Sequence, residues 1–403
     1  MTRSDGTRSA GTRSAKRSRA RRWLRRVGYL FGAIVVLLGA LAIDARVPAG
    51  KAPHGQHLTR ISRSKHFREG RFFNALPEVR GSYWTMLKRW VTGVEHGEPE
   101  QPPPVRKRAR ADFASAPPSG LRVSWFGHST LFVEIDGVRL LLDPVWGKRT
   151  SPFTWLGPQR FHQPPIALAK LERVDAVVIS HDHYDHLDHP TIIELAKRKG
   201  LRFIVPLGVG SHLRYWDIAA ERITELDWWQ RTKVKGITLV STPARHFSGR
   251  WLTDKDKTLW SGWAMLGPKH RAYYSGDTAM FKRFSEIGRR LGPFDITMIE
   301  VGAYDQLWPD VHLGPEQAVQ AHRDVRGHVL LPVHWGTFNL ALHSWVEPIE
   351  RTIAAAKRAA VTLVTPRAGE SVEPSSPPPI ARWWPKGVPW RTAKKYPVRS
   401  TGL

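Results

Sequence analysis

Apolar residues are distributed along this chain in three ways, and each way predicts a different element. Residues 27–43 (VGYLFGAIVVLLGALAI) run for seventeen positions without a charge. That lies near the lower limit of the roughly 17–25 residues that span a bilayer as a helix. From Leu121 onward the pattern changes to short runs rich in β-branched residues. Residues 121–126, 131–135 and 138–142 read as strands, with Asp136-Gly137 as the hairpin turn between the last two. Residues 174–179 form a continuous apolar run and hence a buried strand. Further strands are expected at 203–205, 237–241, 258–266, 271–274, 296–299, 329–333 and 361–364. Pro190 opens a helix to about Lys199 with Asp188 as its cap, and further helices fall near 279–290, 315–325 and 345–359. Strands first and helices interspersed later imply an α/β architecture of two mixed sheets with helices outside.

Composition narrows this picture. With 41% hydrophobic and 24% charged residues over 403 positions, the chain is a folded one. The absence of cysteine excludes disulfides, thiolate metal sites and a cysteine nucleophile. A formal charge of +27 calls for a polyanionic partner, either nucleic acid or an anionic membrane. Its distribution separates the two. Residues 1–43 hold ten basic and one acidic residue, 44–120 fourteen and seven, and 371–403 six and one. Residues 121–370 hold 32 basic and 26 acidic, close to balance. A nucleic-acid enzyme would carry its excess on the folded body. Here the arms carry it, so no nucleic-acid partner is expected and a membrane surface is.

The first arm repeats Thr-Arg-Ser every five residues (Thr2-Arg3-Ser4, Thr7-Arg8-Ser9, Thr12-Arg13-Ser14) and is basic almost throughout 16–26. It has no apolar face to bury, so residues 1–26 are expected to be disordered. Followed by the apolar stretch 27–43, the arm reads as a topology signal. Basic residues stay on the cytoplasmic side, which makes 27–43 a transmembrane signal-anchor with the rest of the chain across the membrane. The alternative is a cleaved signal peptide and a secreted or periplasmic product. Ala40-Leu41-Ala42 offers a small-residue cleavage site, and Arg21-Arg22 loosely resembles a twin-arginine signal. Residues 44–120 read as a linker and N-terminal extension, with an aromatic stretch at 64–74 and Pro-rich breaks at 98–104 and 116–120. The ordered body is expected at 121–370. The tail 371–403, with seven prolines and Trp383, Trp384 and Trp390, is expected to drape over it.

The chemistry concentrates in Ser180-His181-Asp182-His183-Tyr184-Asp185-His186-Leu187-Asp188, directly after the buried run 174–179. In extended backbone His181 and His183 point the same way, so both imidazoles can reach one cation. Asp185 and His186, where the chain turns toward a helix, can face a second. Imidazole and carboxylate donors suit zinc, and iron or manganese less exclusively. His246, Asp277 and His334 each follow an apolar strand and supply the further ligands that two cations need.

This HxHxDH pattern, continued by His246, Asp277 and His334, resembles the metallo-β-lactamase superfamily. The resemblance implies a four-layer αβ/βα sandwich with a dinuclear zinc site at the sheet ends. On that pattern His181, His183 and His246 would bind one zinc, Asp185, His186 and His334 the other, and Asp277 would bridge both. Gly127-His128-Ser129-Thr130, Asp143-Pro144, Gly157-Pro158-Gln159-Arg160-Phe161, Glu225-Leu226-Asp227-Trp228-Trp229, Gly302-Ala303-Tyr304 and His334-Trp335-Gly336-Thr337-Phe338 look like the branch of phospholipases D that hydrolyse N-acylphosphatidylethanolamine. That branch implies a phospholipid substrate at a membrane surface and a two-metal phosphodiesterase mechanism, in which coordination lowers a water's pKa to about 7. His312 matches a histidine beside the metals, a candidate to hold phosphate or protonate the leaving group. Asp277 is the other catalytic candidate, and His128 and Asp143 are expected to hold ligands in place by hydrogen bonds. Residues 305–311 are shorter than in the animal enzyme, with Leu307 in place of an arginine, and Glu300 replaces a proline. A lactonase or a hydrolase of soluble phosphodiesters is the alternative, since fold and metals do not set the substrate. A dimer is compatible with all of this.

Overall fold

The computed structural model of the chain describes residues 9–79, 81–171 and 173–402. It divides at Pro48/Ala49 into two units. The described part of the first lies in one helix, Ser9–Ala49, whose last residue opens the second unit; within it Arg22–Ala49 is long and apolar enough to cross a bilayer, with mean hydropathy 2.2. The helix is longer than the charge-free stretch predicts. Residues 9–26, expected to be disordered, are helical here, because Ala, Arg and Lys are good helix formers and continue the turns already nucleated downstream. Residues 1–8 of that arm lie outside the described residues. Gly50, at φ 73°, follows the last helical residue in the left-handed conformation that commonly ends helices.

The second unit holds two seven-stranded sheets. Across the first lie Ser371–Val372, Leu121–Trp125, Leu131–Ile135, Val138–Leu142, Ala176–Val178, Arg202–Pro206 and Ile223–Leu226. Across the second lie Thr362–Leu363, Gly327–Val333, Phe294–Glu300, Arg271–Tyr274, Gly262–Leu266, Ile237–Thr242 and Arg231–Val234. Each begins as an antiparallel meander and turns parallel where helices intervene. Period-two alternation sorts the side chains. Val133, Leu140, Val178 and Ile204 join Leu239, Met265, Ala272 and Met298 in the core between the sheets. Their neighbours Phe132, Leu141, Val177 and Phe203 face outward, under Ile192, Leu195 and Leu213. On the far side Phe284, Ile287, Ala318, Ile349 and Ile353 cover the second sheet from the helices Arg283–Leu291, Pro315–Asp324 and Glu347–Arg358. The result is the helix–sheet–sheet–helix α/β sandwich that the pattern implies.

Several boundaries differ from expectation for physical reasons. Thr258 to Ser261 do not join the strand Gly262–Leu266, because the Thr258 hydroxyl donates to Asp182 and the Ser261 N–H to the Ser180 carbonyl. The helix expected from residue 279 starts at Arg283, since Ala279 N is tied to the Arg245 carbonyl. Asp188 stands at the N-cap of His189–Ala196, but its carboxylate turns to Gly147 N and the Thr191 hydroxyl. The short polar edge strands Ile223–Leu226 and Arg231–Val234 have no sequence signal of their own.

The compact body starts at Ala49, well before Leu121. Buried Glu225 accepts from His57, Arg60 and Arg214 and from Gly208 N and Gly210 N, which ties the helix Gly55–Ile61 to the first sheet. Ile61 and Phe72 pack with Trp228, Leu259 and Trp260. At the other end Trp335 stacks on both Trp125 and Trp383, which also touch each other, and Trp384 meets it edge-on while donating to Glu350. The tail therefore drapes over the body and completes its core. Trp384→Ala should lower unfolding stability by about 3–5 kcal/mol. A urea midpoint unchanged from the parent would show that the tail is not part of that core.

Candidate metal centre

The site forms where five strands of the two sheets end together. Ala176–Val178 releases the chain into residues 180–188. Ile237–Thr242, Arg271–Tyr274, Phe294–Glu300 and Gly327–Val333 deliver His246, Asp277, Glu300 and His334. Asp182 anchors the first loop, its buried carboxylate accepting from Thr258 Oγ1 at 2.7 Å, Gly249 N at 2.8 Å and His212 Nε2 at 3.2 Å. His128, Asp143 and His334 are non-glycine residues at φ 51°, 38° and 64°, a strained region that recurs where side chains are aimed for function. Gly276 (φ 57°) has no room for a Cβ, which would sit 2.8 Å from Ser180 Cβ and from the Ser261 carbonyl. It lets Asp277 approach the loop at 180–188.

The structure brings all seven expected ligands together, in two groups. His181 Nε2 lies 2.8 Å from His183 Nδ1, and His246 Nε2 lies 3.3 Å from the same atom. Asp277 Oδ2 stands 3.8 Å from both His181 Nε2 and His246 Nε2. In the second group Asp185 Oδ2 is 3.4 Å from His186 Nε2 and 3.2 Å from His334 Nε2. Asp277 reaches this group too, at 3.2 Å from His186 and 3.1 Å from His334. It is the carboxylate common to both.

The surrounding hydrogen bonds select which ring nitrogen faces inward. His186 Nδ1 donates to Asp143 at 2.7 Å, and His246 Nδ1 donates to the Val311 carbonyl at 2.9 Å. His181 Nδ1 is 3.0 Å from Ser180 Oγ. In each case Nε2 is left with its lone pair toward the group, as metal-ligating histidines are held. Asp143 is itself fixed by Ser180 N and Tyr274 OH. His128 Nε2 contacts Asp185 at 2.8 Å, and its ring lies over His334 with centroids 4.0 Å apart. Both residues touch candidate ligands, as the sequence suggests. His343 is buried against Tyr304 in a small hollow beside His128 and His334.

Charge makes this arrangement costly without a cation. Burial opposes charge on His334, but Asp277 and Asp185 outweigh it and push its pKa up to about 10; His186 is raised by Asp277, Asp185 and Asp143 in the same way. Burial likewise opposes ionisation of Asp277, yet His186 and His334 hold it well below the usual carboxylate range. His128 and His312, buried and close to His334, are held down to about 3 and about 4. His186 Nε2 and Asp277 Oδ1 are both buried and, though 3.2 Å apart, make no hydrogen bond. Unsatisfied buried donors and acceptors are expensive. A divalent cation in each group would satisfy them with the nitrogen and oxygen ligands zinc accepts, so the residues fit such a site.

Two participants were not foreseen. Glu300, noted in the sequence only as a substitution for proline, is fully buried and 2.7 Å from His312 Nδ1, while its other oxygen accepts from Thr278 N and Leu313 N. Its signal was an acidic residue closing an otherwise apolar strand. Asn74, from the N-terminal extension, donates to the His246 carbonyl at 2.7 Å, and no local pattern marks it. Asn74 also lines a largely apolar cavity of about 340 Å³ with Leu76, Trp228, Phe281, Lys282 and Arg283.

Residues 138–335 match the family described as Beta-lactamase superfamily domain. An uncharacterized protein of Mycobacterium tuberculosis is 48% identical over 333 residues, 80% of this chain and 87% of its own length. The N-acyl-phosphatidylethanolamine-hydrolyzing phospholipase D 1 of Caenorhabditis elegans is 37% identical over 260 residues, 62% of this chain and 72% of that protein. Among solved structures, a metallo hydrolase from the archaeon Ignicoccus hospitalis superposes with a TM-score of 0.47 at 24% identity, covering 62% of this chain and 97% of that one.

Two outcomes follow for metal binding. Asp143→Asn replaces the carboxylate that orients His186 with a neutral amide having a single acceptor oxygen and should weaken zinc binding by about 10–100-fold, read by equilibrium dialysis with metal analysis. At pH 7 the cation-free His334 carries a proton, because its pKa lies above that pH. Zinc must displace it, so affinity should rise with pH up to about 10 and fall toward acid. Calorimetry in buffers of different ionisation enthalpy should register net proton release. Zinc uptake without proton release would contradict the charge assignment.

Proposed function

Because this chain belongs to the beta-lactamase superfamily and is one of its metal-dependent hydrolases, we propose that it is a dinuclear zinc phosphodiesterase of phospholipase D type. We infer that it acts on N-acylphosphatidylethanolamine or a related phospholipid, held at a membrane by its N-terminal helix. The observation that carries the reading is the convergence of three histidines on one side of Asp277, and of Asp185, His186 and His334 on the other. Similarity to the nematode phospholipase supports the substrate class, and the apolar helix Arg22–Ala49 supports the location. The basic arm ahead of that helix favours a body on the extracytoplasmic side.

When bound, a pair of zinc ions supplies Lewis acidity toward phosphoryl oxygens and lowers the pKa of water to about 7. The chain's residues do the rest. Asp277, between the two groups, sets their spacing. His128 and Asp143 hold Asp185 and His186 in their orientations. His312 is kept neutral by burial, and Glu300 beside it is raised well above the carboxylate range by burial and by Asp277. A protonated Glu300 donates to His312 Nδ1 and leaves the imidazole proton on Nε2. That is the tautomer that can hydrogen-bond a phosphate oxygen, or pass its Nε2 proton to the departing alkoxide as Nδ1 takes the proton from Glu300.

Purified full-length protein loaded with zinc should hydrolyse N-acylated phosphatidylethanolamine in mixed micelles and release phosphatidic acid. Asp277→Asn should lose both bound metal and this hydrolysis. Full activity in that variant would sink the dinuclear reading. Turnover of lactones or soluble phosphodiesters with the phospholipid left intact would replace the substrate assignment and keep the metal centre.

A further inference from the structure

The helix Tyr83–Thr92 is amphipathic in the reverse of the usual sense. At about 100° per residue, Tyr83, Trp84, Leu87, Trp90 and Val91 fall on one arc of about 120°. All five side chains are exposed, Trp84 by 75% and Val91 by 80%, and the helix buries none of its residues. Arg89, on the opposite side, points inward. It donates to buried Asp305 at 3.1 Å, to the Tyr396 hydroxyl at 3.0 Å and to the Leu342 carbonyl at 3.2 Å. The helix is thus fastened to the body by its charged face while its aromatic face is turned to the outside. Ser82 caps its N-terminus by accepting from Thr85 N, so the element is well formed without any core to pack against.

We propose that this face is a bilayer-docking surface, inserted into the headgroup–acyl boundary of an anionic phospholipid membrane. Four features favour lipid over a second protein. Tyr and Trp supply three of the five exposed positions, the residues that settle at membrane–water interfaces. Lys88 is exposed at the margin of the arc, where a long stem can run along the apolar surface and keep its ammonium at headgroup level. Residues 44–120, which contain the helix, hold fourteen basic and seven acidic residues, a surplus that complements anionic lipid. Leu76 and Val79, just upstream, are exposed as well and lengthen the apolar contact.

The position of the helix connects the surface to the chemistry. Gly81 N donates to the Leu307 carbonyl at 2.7 Å, and Val79 N to Asp310 at 2.9 Å. The helix therefore stands on residues 305–311, the segment that leads into His312. Docking through it would hold that segment at the bilayer surface, where a lipid headgroup enters. This rests on the proposed lipid-directed function for its purpose, and the experiment below reads docking without any turnover.

Because the chain has no cysteine, single sites can be labelled in the full-length protein. Trp84→Cys, Leu87→Cys and Val91→Cys, each carrying an environment-sensitive fluorophore, are reconstituted in vesicles of phosphatidylethanolamine and phosphatidylglycerol. Lys357→Cys, exposed on the helix Glu347–Arg358, is the control. The expected result is a blue shift and strong loss of intensity with nitroxide-labelled lipids at 84, 87 and 91, with neither at 357. The spanning helix alone would keep the protein on vesicles, so only these local signals count. Emission at 84, 87 and 91 matching that at 357 would overturn the proposal. So would disulfide crosslinking between copies at Trp84→Cys without lipid quenching, which would assign the face to a dimer. Neither outcome touches the catalytic reading, which stands or falls with Asp277.

Discussion

The structure depends on a crowding of like groups that the protein cannot satisfy alone. Asp185, Asp277 and Glu300 meet seven imidazoles at the ends of two sheets, nearly all of it out of contact with water. Buried charge is tolerated only when it is paired and hydrogen-bonded. Here the pairing is incomplete, with His186 Nε2 and Asp277 Oδ1 left without partners. The loops are held in this state by hydrogen bonds further out, through Asp143, Asp182 and Ser180. That outer shell spends packing stability on preorganisation, and the two sheets have to supply it.

This explains why so much of the chain outside the two sheets closes on the site. Asn74 reaches His246 from the N-terminal extension. Arg245, next to that histidine, is buried and binds Asp310, the Pro77 carbonyl, Ser400 and Thr401, so one guanidinium ties both ends of the body beside a candidate ligand. Trp335, next to His334, is held in the tryptophan stack closed by Trp383 and Trp384. The residues flanking two ligands are thus clamped by segments that a local reading treats as a linker and a tail.

The same segments separate location from chemistry. The charge excess lies on residues 1–120 and 371–403, and residues 121–370, which hold the site, are close to balance. Cations spread over the extension and tail act on a surface at long range, with screening by salt. The site acts within a few ångströms and is shielded from that field. The lipid hydrolase proposed above would have both needs and would meet them with different residues.

How much of this was legible in the sequence follows from the range of each interaction. Strand alternation such as Leu131, Val133 and Ile135 against Phe132, and the HxHxDH spacing, are local. They marked the sandwich, its strand ends and the seven converging residues. The start of the body at Ala49 and the role of Glu300 were not legible, because each depends on partners outside its own segment, whereas the helical extension of the basic arm follows from local propensity that its charge pattern hid. Glu300 meets His312 only because the loop after its strand folds back, and Asn74 meets His246 across 172 positions. The outward aromatic face of Tyr83–Thr92 is the sharpest case. Its sequence is that of an ordinary amphipathic helix, and periodicity alone would have turned Trp84 and Leu87 inward. The inward direction was decided by Arg89, because a guanidinium with three acceptors waiting in a buried pocket fixes the rotation of the helix. Sequence by itself determined which residue types sit at which strand ends, since that is set by periods of two and 3.6. Tertiary structure alone decided which face of each element is satisfied, since that depends on what stands opposite.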